Sequence, residues 1–191
     1  MINIKRLFFV FVFFASFFSS KELIAQKINQ FDKNNKPTGL WKKYHSNKRI
    51  RYQGTFKNGK EIGVFKFYDS KSSKFPVAIK KYTAANDTVF VEFYSLKGLL
   101  QSKGKMLFRK RAGKWRYYFA NGNVLSEESY TKGKLNGTVL NYYPQGGIAE
   151  KTDYKNGVKH GVSQKYSSKG LIMVEVYYKE GKLTGEVVKK Q

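Results

Sequence analysis

GKWRYYFANGNVLSEESYTKGKLN, residues Gly113–Asn136, decides the fold of this 191-residue chain. Lys114–Ala120 is rich in aromatic residues and reads as a strand. Asn121-Gly122 is the strongest short hairpin signal, because a type I′ turn needs positive φ at both central residues. Asn123–Thr131 returns as a second strand, closed by Lys132-Gly133-Lys134. The stretch is therefore a β-hairpin. A helix has no comparable support, since each of its glycines would weaken a helix interior by about 1 kcal/mol.

The same phrase returns along the chain. Units are read at 39–62, 63–88, 89–112, 113–136, 137–160 and 161–184. An aromatic residue recurs at one slot (Phe56, Tyr130, Tyr154, Tyr178), and a glycine follows three residues later (Gly59, Gly133, Gly157, Gly181). These four glycines are assigned as structural turn residues with positive φ. Tyr44, Tyr68, Tyr94, Tyr118, Tyr142 and Tyr166 occupy another fixed slot. Self-similarity at a fixed period of 20–50 residues marks a stacked array of one supersecondary unit. The expected fold is all-β: an elongated, single-layer antiparallel meander of about six 24-residue hairpins, or about twelve strands. At about 4.8 Å per strand it would extend on the order of 55 Å. The middle is degenerate. The second unit gains two residues around Ser72–Pro76, and the third has Val89 and Arg109 where the others have glycine. Half-units flank the array, Ile28–Thr38 before it and Glu186–Gln191 after it.

The first 25 residues are set apart from the repeats. Lys5 and Arg6 precede an apolar run, Leu7–Phe18, followed by polar Ser19–Glu22. Twelve helical residues span about 18 Å, short of the roughly 30 Å of a bilayer core. The segment reads as a signal peptide cleaved after Ala25, and the chain from Gln26 onward contains no transmembrane segment. Localisation is expected to be periplasmic, cell-surface or secreted. With no cysteine, the fold must be held by packing and backbone pairing, and thiol chemistry and lipid attachment through cysteine are excluded. Net charge is +24 overall and +22 without the leader. Such a field draws polyanions. Only six of the 37 basic residues are arginine. Lysine is a hydrated point charge lacking the guanidinium fork, so diffuse attraction is expected rather than specific nucleic-acid readout.

No catalytic, metal-binding or cofactor-binding constellation is read from the sequence. His45 and His160 lie in different units, and neighbours Glu127 and Glu128 point to opposite sides of a strand. The Gly-Lys dipeptides never form the phosphate-binding loop pattern. The aromatic ladder is the remaining motif. Trp41, Tyr44, Trp115 and Tyr118 form the candidate binding surface, with packing between neighbouring units as their alternative role. An offset of three places Trp and Tyr on opposite faces of a regular strand. Either a bulge intervenes or one ring faces solvent.

The pattern G-x-W-x-x-Y-x-x-x-G, then an aromatic and G-K, resembles the MORN-repeat variant. This is the bacterial relative of the membrane occupation and recognition nexus repeat, and it occurs in proteins described as antitoxin-like. The resemblance covers residues 39–185, with the first-strand tryptophan kept at Trp41 and Trp115. It implies a non-catalytic repeat scaffold. The expected function is protein–protein interaction in the cell envelope, with another protein or envelope macromolecule as partner. The alternatives are lysine-driven peripheral binding of acidic lipid or glycan, and an antitoxin-like partnership with a toxic protein.

Overall fold

A computed structural model describes residues 27–83 and 88–185. The leader and the half-unit at Glu186–Gln191 lie outside the described residues. The chain forms one antiparallel sheet from strands β1 (Gln30–Phe31), β2 (Pro37–Tyr44), β3 (Ile50–Lys57), β4 (Lys60–Phe67), β5 (Ala78–Tyr82), β6 (Thr88–Tyr94), β7 (Leu100–Leu107), β8 (Lys110–Tyr118), β9 (Val124–Thr131), β10 (Lys134–Leu135), β11 (Gly137–Tyr142), β12 (Ile148–Lys155), β13 (Val158–Tyr166), β14 (Ile172–Lys179) and β15 (Lys182–Leu183). Strand order follows the chain throughout, and the short β10 pairs with β9 beside β11. The sheet is open and all-β, and three of its strands, β1, β10 and β15, have only two residues.

Two kinds of turn alternate. The tight one is the two-residue type I′ turn, which requires positive φ at both positions. It falls at Asn58-Gly59, Lys132-Gly133, Asn156-Gly157 and Glu180-Gly181, where both residues have positive φ. Phe108-Arg109 makes the same turn without glycine, at φ 47° and 62°. The other turn is the one assigned above to Asn121-Gly122 as type I′, and here the structure corrects the sequence reading. Phe119 N donates to the Asn123 carbonyl at 2.8 Å and Gly122 N to the Phe119 carbonyl at 3.0 Å. Gly122 has φ 89°, whereas Asn121 is not among the residues with positive φ. This is a type I turn followed by a left-handed residue, the common three-residue hairpin loop. Asparagine suits the last helical position of that turn as well as it suits type I′, so the dipeptide alone does not separate them.

The strand starts also differ from expectation. β8 begins at Lys110, directly after the tight turn, and runs through Gly113 as a bulge. Gly104 faces Trp115 while Lys105 faces Ala112, so Gly113 and Lys114 are extra residues on β8. β13 repeats this shift against β12, and β4 against β3. The opening glycine of a unit is therefore a bulge point. Val89 is the natural control: a β-branched residue is strongly disfavoured at positive φ, and β5 pairs with β6 over five residues without any shift.

Continuous pairing carries one row of side chains across the whole sheet: Trp41, Gly54, Phe65, Lys80, Val91, Gly104, Trp115, Glu128, Val139, Thr152, Ser163 and Val176. Phe65, Val91, Trp115 and Val139 from this row are buried. Its face is called the ring face below. Phe65 lies on Gly54 and Trp115 on Gly104, so that a Cβ on either glycine would come within 2.4 Å of the ring above it. These glycines are required by contact rather than by φ.

Candidate functional site

The four aromatic residues assigned to one binding surface are divided between two faces. Trp115 is 0% exposed on the ring face. Its Nε1 donates to the Lys105 carbonyl at 3.0 Å, the Arg111 guanidinium lies 4.6 Å from its ring centre, and Phe93 stacks at 6.3 Å. Such a ring cannot meet a partner without opening the fold, which removes Trp115 from the candidate surface. Trp41 is half-buried on the same face, between Phe31 and Phe56, and donates Nε1 to Gln30 and Thr38 carbonyls. Tyr44 and Tyr118 lie on the opposite face. Tyr118 receives the Lys103 ammonium at 5.6 Å from its ring centre, and Tyr44 is 46% exposed. A bulge does occur beside each tyrosine, with the extra residue (Arg51, Leu125) on the partner strand. The tyrosine itself is not redirected. The turn residues Gly59, Gly133, Gly157 and Gly181 have φ of 78°, 83°, 93° and 82°.

The ring face has a polar cluster where its aromatic filling ends. Arg111 Nη1 donates to Tyr130 Oη at 2.9 Å, and Tyr130 Oη donates to Glu128 at 2.5 Å. Burial, followed by the bond to Glu128, holds the Tyr130 phenol above its ordinary range. Burial also raises Tyr117. Both phenols remain neutral donors, and the cluster seals the row instead of offering a reactive group.

The opposite face is basic. Its central row reads Lys42, Gln53, Lys66, Ile79, Glu92, Lys103, Arg116, Glu127, Leu140, Lys151, Gln164 and Glu175. Glu92 pairs with Lys81 at 3.3 Å and accepts from Tyr94 Oη at 3.2 Å. Burial, then the Glu92 charge, raises the Tyr94 phenol. Glu127 pairs with Arg116 at 2.6 Å, and that contact raises the guanidinium further above its usual value. Lys66, Lys103 and Lys114 are exposed. Between β6 and β8 the basic face carries a shallow groove of about 490 Å³, lined in part by Phe90, Lys103, Lys105, Ala112 and Lys114. Phe90 is 49% exposed beside it. The sequence reading missed this groove, although the alternation of Phe90 with Glu92 and of Lys103 with Lys105 places these residues on one face.

A second depression of about 380 Å³ lies at the two-residue insertion, against Lys71, Ser72, Ser73 and Lys74. Its arginine, Arg49, is occupied in donating to the Ser70 and Lys71 carbonyls. Neither histidine stands in a reactive setting. His45 Nε2 donates to the Tyr68 carbonyl at 3.0 Å, and His160 Nδ1 accepts from Glu180 N at 3.4 Å. Among the described residues no group of three His, Cys, Asp or Glu could hold a metal ion, and no helix is long and apolar enough to cross a membrane.

The family model of the MORN repeat variant matches this chain at three places, residues 37–58, 111–132 and 135–156. Each window covers one hairpin: β2–β3, β8–β9, and β10 through β12. No curated protein matches the chain.

Proposed function

We propose that this chain is an exported, non-catalytic repeat scaffold that binds another protein in the cell envelope through the basic face of its sheet. One observation carries the reading: the sheet is sealed on one face and open on the other. The ring face uses its largest side chain, Trp115, for packing alone. The basic face presents Phe90, Tyr44 and a row of exposed lysines. An open, long sheet suits extended surface contact, and the matched repeat type commonly serves as a protein- or lipid-binding module. Photo-crosslinking in cells tests the assignment. A crosslinker at position 66 or 103 should yield discrete protein adducts, while one at position 128 on the ring face should yield none. Adducts from position 128 alone would refute it. N-terminal analysis of the natively produced protein should find a start near Gln26; an intact Met1 would refute export.

A second reading is favoured by the unpaired lysines. Lys103, Lys105 and Lys114 lie close together and, among the described residues, form no ion pair with a carboxylate. Acidic envelope lipid or glycan would answer that charge. Binding of this kind should collapse at high salt, because exposed charges are screened over about 8–10 Å at physiological ionic strength.

A further inference from the structure

We propose that the groove between β6 and β8 holds an extended acidic segment of a partner protein, with carboxylates at alternate positions and an apolar side chain among them. The proposal rests on the docking reading above and gives the partner's chemistry at that face. Charge is the first ground. The nearby carboxylates are already committed, Glu92 to Lys81 and Tyr94, and Glu127 to Arg116. Among the described residues, Lys103, Lys105 and Lys114 therefore leave an uncompensated positive field over the groove.

Spacing is the second ground. Lys103 and Lys105 are alternate residues of β7 and project from one face about 6.8 Å apart. Lys114 stands across from them on β8, on the bulge opened by Gly113. Three cations strung along strands do not converge on one point, as a lone phosphate would require. They match the repeat of alternate side chains in another extended chain. Relief is the third ground. Gly104 and Gly113 place bare backbone under the groove and Ala112 adds only a methyl, while Phe90 rises as an apolar wall. A concave floor beside an exposed ring gives a buried side chain somewhere to sit, which a flat lipid surface would not use.

The test uses the protein as the cell produces it and a labelled heptapeptide with aspartate at alternate positions and phenylalanine or leucine between them. An isomer with its aspartates contiguous, a sulfated glycan and anionic vesicles serve as competitors. The triple variant Lys103→Gln, Lys105→Gln, Lys114→Gln should weaken heptapeptide binding by about tenfold or more, because paired interface charges carry that much discrimination. Removing the same charge elsewhere on the face (Lys42→Gln, Lys66→Gln, Lys151→Gln) should weaken it by less than about threefold, as charges far from the groove are screened by solvent and salt. Phe90→Ala, an exposed site that leaves the sheet's circular dichroism intact, should also lower affinity, by about threefold to tenfold. Equal losses in the two triple variants, or unchanged binding in Phe90→Ala, would overturn the proposal. So would equal competition by the contiguous isomer, the glycan or the vesicles. If crosslinks at position 66 persist while the heptapeptide fails to bind, the docking face stands and the groove's assigned chemistry falls. Loss of both would remove the docking reading itself.

Discussion

From β2 to β8 the central row of the ring face carries the rings of Trp41, Phe65 and Trp115, whereas from β9 to β14 the same row holds Glu128, Val139, Thr152, Ser163 and Val176. In the first region Trp41, Phe56, Phe65 and Tyr82 make successive edge-to-face contacts with centres 5.1 to 5.7 Å apart. In the second, Thr152 Oγ1 and Ser163 Oγ form a buried hydrogen bond of 2.7 Å and no ring stands at their positions. Yet the backbone is the same. Three-residue loops recur at Ser95, Phe119, Tyr143 and Ser167, and tight turns fall between them. The comparison teaches that turns and bulges set the repeat, while the row between them can be filled by rings or hydroxyls. The energetic consequence is asymmetric. Burying a large ring contributes several kcal/mol, while a hydroxyl pair contributes about 1 kcal/mol net.

The largest expected effect therefore lies at Trp115. Trp115→Ala removes a fully buried ring and should cost about 3–5 kcal/mol. Thr152→Ala, at a site that is also buried, should cost about 1–2 kcal/mol. Thermal or denaturant melts compare the two directly. Equal losses would mean that the two regions are held by the same forces, and the comparison would fail.

How far the sequence reveals this division can be followed residue by residue. The meander is legible because aromatic and β-branched runs alternate with glycine turns at one fixed spacing. The faces are only half legible. The offset of three between Trp115 and Tyr118 separates them on a regular strand, but whether a bulge lies in β8 or in its partner cannot be read from residue types. The bulge at Gly113 is hidden for another reason: glycine serves a turn, a bulge and a close contact equally well. Gly133 makes a turn, Gly113 a bulge, and Gly104 underlies Trp115. Only the register distinguishes the three. The groove at Phe90 escapes notice because it is built from residue types that are ordinary on an exposed sheet face.

Gly104 sharpens the comparison next. A Cβ there would meet Trp115 Cδ2 at 2.3 Å. Gly104→Val should cost about 1–3 kcal/mol through overpacking. Introducing valine at Ser163, a row position of the polar region with no ring above it, strands the Thr152 hydroxyl and should cost about 1–2 kcal/mol, less than overpacking against Trp115. Melts of the two valine variants decide it. A larger loss at Ser163 would show that ring stacking is not what constrains the first region.

The hydroxyl pair allows a test by double substitution. Thr152→Val alone leaves Ser163 without its partner in a buried site and should cost about 1–2 kcal/mol, the price of an unmatched polar group. Adding Ser163→Ala removes the stranded hydroxyl, and much of the loss should be recovered, because replacing both partners by apolar groups is close to neutral. A strictly additive double variant would show that the 2.7 Å contact contributes no coupling.

The smallest effect should run the other way. Ser126 is buried on the ring face, paired across the sheet with Tyr117 and Asn141, and its Oγ has no hydrogen-bond partner among the described residues. It stands at the border between the regions, where the rings of the central row have ended and the hydroxyl network has not begun. A buried donor without a partner is destabilising by about 1–3 kcal/mol relative to its absence, and Ser→Ala removes only the one oxygen. Ser126→Ala should therefore stabilise the protein, by about 1 kcal/mol or less once the lost volume is counted. Ser163→Ala made alone should destabilise it, since that hydroxyl is paired with Thr152. Opposite signs from the same chemical change, at two sites on different rows of one face, would place the border of the two regions at β9. If Ser126→Ala instead lowers the melting temperature as Ser163→Ala does, the hydroxyl network extends back to β9.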